Sequence, residues 1–182
     1  MFKRVLVILA SGWLSGSAFS QAFVMKSSVL KNNGTIAEAQ VFNSFGCTGA
    51  NISPDLEWSG APKGTKAFAL TMFDPDAPTG SGWWHWVVFN IPAGTTKLAA
   101  GAGSTNSAAL PAGSIQGRTD FGKPGYGGPC PPPGKPHRYI FKLYALKDML
   151  QIEEGASAAM VSFSLNHNKL AETVLTAKYG RK

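Results

Sequence analysis

The chain has 182 residues, 44% hydrophobic and only 15% charged, with 21 glycines and 12 prolines. That is enough for one well-buried core, too little for two, and loop-rich without the charge excess of a disordered chain. The formal net charge of +7 comes from basic residues scattered as singles, so no nucleic-acid-binding patch is expected and charge alone names no partner.

Lys3 and Arg4 precede an apolar stretch, Val5 to Ala10 with Trp13 and Leu14, and Ser20-Gln21-Ala22 places small residues at the cleavage-determining positions. This pattern predicts a secretory signal peptide over 1–22, cut after Ala22 or Ser20, ahead of one domain over 23–182. Ser11, Gly12, Ser15 and Gly16 break the apolar run, which argues against a permanent span of about 20 apolar residues. A periplasmic or secreted protein without integral membrane association is expected. Export changes what the cysteines mean. Cys47 lies in Phe45-Gly46-Cys47-Thr48-Gly49 and Cys130 in Gly128-Pro129-Cys130-Pro131, and an oxidising compartment favours a Cys47–Cys130 disulfide closing a loop of roughly 84 residues. Two separate buried thiols are the alternative, because spacing alone does not bring two loops together. Neither cysteine has a neighbouring His or basic residue to lower its pKa, so neither is expected to be catalytic.

From Phe23 onward, short extended segments alternate with Gly, Pro and Asn clusters, which predicts a mainly β fold. Apolar runs predict buried strands at Lys66–Phe73, Trp84–Ile91 and Arg138–Leu146. Between Ile91 and Tyr126 lies a Gly-, Ala-, Ser- and Thr-rich excursion with one strand expected around Ser114–Gly117. Met160, Val161, Phe163, Leu165 and Leu170 recur at helical spacing, predicting a helix from Ser157 to about Glu172, with Val174–Tyr179 returning as a strand. The helix is expected to pack on one face of a largely antiparallel sheet.

Three segments could carry chemistry. Asp74-Pro75-Asp76-Ala77-Pro78 follows the first buried strand; its prolines fix the backbone, and a cis bond is expected at Asp74-Pro75 or Ala77-Pro78. The alternative is a rigid turn with solvated acids. Ser81 to Trp86 opens the next strand, where alternation puts Trp84 and Trp86 on one face and His85 on the other. If these strands pair as a hairpin, Asp74, Asp76 and His85 share one end of the sheet, beside aromatic walls suited to a small ligand. The alternative is a core histidine packed among tryptophans. In Gly134-Lys135-Pro136-His137-Arg138-Tyr139, His137 and Tyr139 share a face and Arg138 points the other way. His167, between Asn166 and Asn168, is expected to face solvent. Two histidines and a carboxylate would make a facial metal set, but no tight ligand spacing is present, so no metal is expected. No Gly-X-Ser-X-Gly turn and no phosphate-loop or dinucleotide fingerprint occurs, so neither an enzyme nor a cofactor is expected.

In this order the motifs resemble the phosphatidylethanolamine-binding protein family, in particular its bacterial Raf kinase inhibitor-like branch. The resemblance extends through Asn51-Ile52-Ser53-Pro54, Gly117-Arg118-Thr119-Asp120-Phe121-Gly122 and the C-terminal helix. It implies a large antiparallel sheet packed on a smaller one with a C-terminal helix, and a small anion pocket at one end of the sheet. By position Asp74, His85, His137 and Tyr139 would line that pocket, with Asp76, Pro131 and Trp84 at its rim. The expected role is binding of a small phosphate-like or carboxylate anion, or of a phosphoethanolamine-type phospholipid headgroup. A protein-directed inhibitor or modulator acting through the rim is the alternative, and a hydrolase a weaker one; a homodimer is left open. The signal peptide, the two Gly-loop cysteines and Trp86 depart from the eukaryotic members, so kinase regulation is not expected. Carboxylates beside an anion are reconciled if they hold the imidazoles and favour their charged forms, so that protonated His85 and His137 donate together with the Tyr139 hydroxyl.

Overall fold

The computed structural model describes residues 21–105 and 108–182, so the leader expected over 1–22 falls almost wholly outside the described residues. Two antiparallel sheets are stacked. The smaller is built from β1 (Val24–Lys26), β2 (Leu56–Ser59) and β5 (Lys97–Leu98) in the order β1-β2-β5. The larger contains β3 (Ala67–Asp74), β4 (Trp83–Pro92), β6 (Ile115–Gln116), β7 (His137–Leu146) and β8 (Lys169–Tyr179), in the order β6-β4-β3-β7-β8. Among the described residues one α-helix, α1 (Ala158–Asn168), covers the far face of the larger sheet. The fold is therefore mainly β, two antiparallel sheets and one helix, as the sequence pattern and the resemblance lead one to expect.

The central position of β3 follows from its composition. Phe68, Leu70 and Met72 point into the core between the sheets with Leu56, Trp58 and Leu98, while the alternate positions Ala67 and Ala69 face the helix with Val161 and Leu165. Large side chains fill the wide inter-sheet space, and alanines let the helix come close. Ser157 caps α1 by accepting from the Met160 N–H at 3.3 Å. The helix ends at Asn168, four residues short of the expected limit, because β8 pairs with β7 along its whole length from Leu146↔Lys169 to His137↔Tyr179. Leu170 fits helical spacing, yet it lies beside Thr173, Val174 and Thr176, whose β-branched side chains suit a strand. Met160 and Phe163 fit the same spacing and are 54% and 64% exposed.

Two irregularities in β4 change the expected faces. Met72 pairs with Trp86 but Phe73 pairs with Trp84, so His85 is an extra residue and alternation resets there. Trp86 consequently enters the inter-sheet core and Trp84 the helix side, correcting the expectation that the two tryptophans share a face. The second irregularity lies near Asn90, at φ +57°, whose amide exchanges hydrogen bonds with the Leu150 backbone at 3.0 and 2.7 Å. The β3–β4 turn ends at Gly82, at φ +76°, where a Cβ would fall 2.4 Å from the Phe73 ring and 2.7 Å from the Asp74 carbonyl oxygen. Only glycine fits there. No described peptide bond is cis, so the expected cis-proline in Asp74–Pro78 is not found.

Candidate functional site

The β3 end, the β4 start and the β7 start meet at one end of the larger sheet, because β3 pairs with both neighbours in antiparallel register. A cavity of about 150 Å³ opens there. Asp74, His85, His137 and Tyr139 line it, together with the Ala77–Thr79 turn, Trp83, Phe45, Phe121 and Cys130–Pro132. No Lys or Arg is among these residues.

Asp74 is buried. Its Oδ1 accepts the Asp76 N–H at 2.8 Å and its Oδ2 accepts Nδ1–H of His137 at 2.8 Å. The first bond is a local turn bond of the kind Asp makes readily; the second orients the His137 ring, which otherwise has no hydrogen-bond partner among the described residues. His85, the bulged residue, is also buried and donates Nδ1–H to the Gly127 carbonyl at 2.7 Å. The edges of Phe121 and Tyr139 pack against its ring with centroids 5.4 and 5.1 Å away. Burial pushes the His85 pKa down to about 4, outweighing the opposing pull of the Gly127 and Gly128 carbonyls and of the Asp74 and Asp120 carboxylates. The expectation that His85 is held in its charged form is thereby overturned: desolvation wins over the nearby acids. Tyr139 is fully buried, and its hydroxyl has no hydrogen-bond partner among the described residues. Burial first, and then the Asp74 carboxylate, raise its pKa and keep it protonated.

Asp76 leaves the cavity. It turns outward and grips Arg138, accepting from its backbone N–H at 2.9 Å, Nε at 2.8 Å and Nη2 at 2.7 Å. The Arg138 hydrogen bond holds the Asp76 carboxyl down to about 2 against its partial desolvation. The pair fastens the Asp-Pro-Asp turn to the start of β7, so Asp76 positions His137 from outside. Trp84, expected at the rim, lies on the opposite face against Phe73, ring centroids 4.5 Å apart. Its backbone N–H donates to Asp120 Oδ2 at 2.7 Å. The bulge at His85 gives the rim position to Trp83 instead. Pro131 does line the cavity, and Arg138 points away as expected.

Sequence reasoning missed Trp83, Phe45 and Phe121. Phe121 stands in a segment already singled out for its motif. Phe45 carries its own signal, an aromatic residue 64% exposed at φ +56°, held in place by Cys47 two residues on. Cys47 and Cys130 are joined by a disulfide with an S–S distance of 2.09 Å. The bridge ties the Phe45 loop to the Gly128–Pro132 loop, and Arg181 clasps both by donating Nε to the Pro131 carbonyl at 2.7 Å and Nη1 to that of Gly46 at 3.2 Å.

Comparison with known proteins gives a concordant result. A sequence profile described as phosphatidylethanolamine-binding protein matches residues 26–180. UPF0098 protein YbcL of Escherichia coli K12 is 48% identical over 179 residues, covering 97% of this chain and 98% of the relative. UPF0098 protein YbhB of the same organism is 50% identical over 154 residues, covering 84% and 97%. The crystal structure of E. coli YbcL, described as a new member of the mammalian PEBP family, superposes with a TM-score of 0.86 at 50% identity, covering 88% of this chain and 99% of that one.

Proposed function

The chain belongs to the phosphatidylethanolamine-binding protein family, and from that footing we propose that its cavity is a binding site for a small oxyanion or the phosphate of a phospholipid headgroup. The observation that carries this is Tyr139, which lines the cavity and whose buried hydroxyl has no hydrogen-bond partner among the described residues. An orphaned buried hydroxyl costs on the order of 1–3 kcal/mol, which a ligand acceptor recovers. His137, fixed by Asp74 through one ring nitrogen, has its other nitrogen available beside it. Proline and aromatic walls exclude water and strengthen each hydrogen bond made inside. Asp74 positions and does not itself bind. We propose also that the mature domain is exported, supported by the leader pattern in 1–22 and by the disulfide.

Titration calorimetry with phosphate tests the site. The unsubstituted protein should bind, and Tyr139→Phe, which keeps the buried ring, should bind about tenfold more weakly, equivalent to one lost hydrogen bond of about 1.4 kcal/mol. Unchanged affinity in Tyr139→Phe would remove the observation on which the site rests.

A further inference from the structure

The helix-bearing face of the larger sheet carries a second cavity, which shares no lining residue with that of Asp74 and His85. α1 covers this face only in part. Its buried side chains, Ala158, Val161 and Leu165, pack with Ala67, Ala69 and Phe89, and beside them a cavity of about 380 Å³ is left between helix and sheet. Strand register sets its layout. Trp84, Phe73 and Ile140 form one row across β4, β3 and β7; Thr71 and Lys142 form the next row on the same face, and Tyr144 and Glu172 the one after. Rows on one face are about 7 Å apart along a strand. One end of the cavity is therefore aromatic and aliphatic, with an ammonium group one row away. Ser162 and Asn166 of α1 add a hydroxyl and an amide along the bank.

The charges in this cavity do not balance. Lys169 Nζ donates to one Glu172 carboxylate oxygen at 2.7 Å, whereas Lys142 Nζ stands 3.9 Å from the other, too far for a hydrogen bond. The Lys169 hydrogen bond holds the Glu172 carboxyl below its ordinary range, and burial raises the Tyr144 phenol. Near neutral pH, two ammonium groups thus face one carboxylate and a neutral phenol, and no other ionisable group is among the lining residues. We propose that this cavity is a second ligand site, for a small aryl-substituted carboxylate. The ring lies on the row of Trp84, Phe73 and Ile140, where Trp84 and Phe73 are already in tilted contact with centroids 4.5 Å apart, a geometry a third ring can extend. The carboxylate accepts from Lys142 one row on, as a charge-assisted hydrogen bond. A single unmatched cation selects a monoanion, and the volume lies at the small end of the range for ligand sites. The proposal is independent of the anion cavity.

Phenylpropionate and phenylpropionamide match in shape and differ in charge. By amide proton–nitrogen NMR near neutral pH, the acid should shift the Thr71, Trp84, Lys142 and Ser162 resonances. It should bind about tenfold more tightly than the amide, as one hydrogen bond to a charged group requires. Lys142→Met, which keeps the stem and removes the charge, should abolish that preference. Glu172→Gln, which removes the competing carboxylate, should instead tighten binding of the acid about threefold, a gain that loss of structure does not produce. If either variant does not fold, the shift map and the acid-to-amide ratio of the unsubstituted protein decide. No binding of the acid, equal binding of acid and amide, or shifts confined to Asp74, His137 and Tyr139 would overturn the proposal, and each would leave the anion site standing.

Discussion

β4 and β7 each carry a histidine within their first three residues, at the same end of the same sheet, and the two are held differently. His85 sits on a bulge, buried against a carbonyl; His137 sits in regular register beside a carboxylate. A carbonyl partner fixes a tautomer without supplying a charge, and burial then drives the ring to its neutral form. A carboxylate partner instead holds the His137 ring through Nδ1. Two similar motifs thus hold their rings by unlike partners, a carbonyl and a carboxylate, at one site.

The disulfide lies nearest in sequence to the support of His85, since Cys130 is three residues beyond Gly127, whose carbonyl accepts from that ring. Removing it as Cys47→Ser/Cys130→Ser should lower stability by up to about 4 kcal/mol on the loop-closure argument, measured by denaturant unfolding, and should shift the His85 ring resonances more than those of His137. Equal disturbance of both would deny that the two rings are separately supported. Acid provides the next largest effect. The His85 pKa is about 4 in the folded chain against about 6.5 unfolded. The unfolded state therefore gains a proton that the folded state refuses, and stability, complete above pH 6.5, should fall by about 3 kcal/mol as pH drops to 4. This window lies above the range in which Asp76, held down to about 2, begins to release Arg138. A His85→Gln protein should lose much less over the same interval; parallel losses would show that His85 is not the group responsible. His137→Ala should cost some stability, because it leaves the buried Asp74 carboxylate without its ring partner, and should weaken phosphate binding of the folded protein by about 1.5–3 kcal/mol, the range for a hydrogen bond to a charged group, read by calorimetry. Affinity retained in the folded protein would deny His137 that role.

Much of the sheet was legible because its strands are long apolar runs ended by Pro, Gly and Asp: Ala67–Asp74, Trp83–Pro92 and His137–Leu146 lie within a residue or two of their predicted limits. Hairpin pairing predicts Asp74, Asp76 and His85 at one sheet end, of which Asp74 and His85 line the cavity, and the addition of His137 and Tyr139 followed from the family resemblance. Three things were hidden. The bulge at His85 is a property of pairing, and it exchanged Trp84 for Trp83 at the rim. The balance between burial and charge at His85 depends on depth, which alternation does not report. Phe45 and Phe121 reach the cavity from loops distant in sequence, brought there by the disulfide and by packing of the two rings 5.9 Å apart. The short strands β1, β2 and β5 left little pattern of their own and owe their pairing to the core beneath them.

The most direct test is a crystal structure of the mature protein grown with phosphate. One phosphate oxygen should lie within hydrogen-bond distance of Tyr139 Oη and another of His137 Nε2, with Asp74 still bound to His137 Nδ1. A phosphate bound elsewhere, with the cavity holding only water and Tyr139 Oη paired to a protein group, would contradict the assignment of this cavity as the binding site.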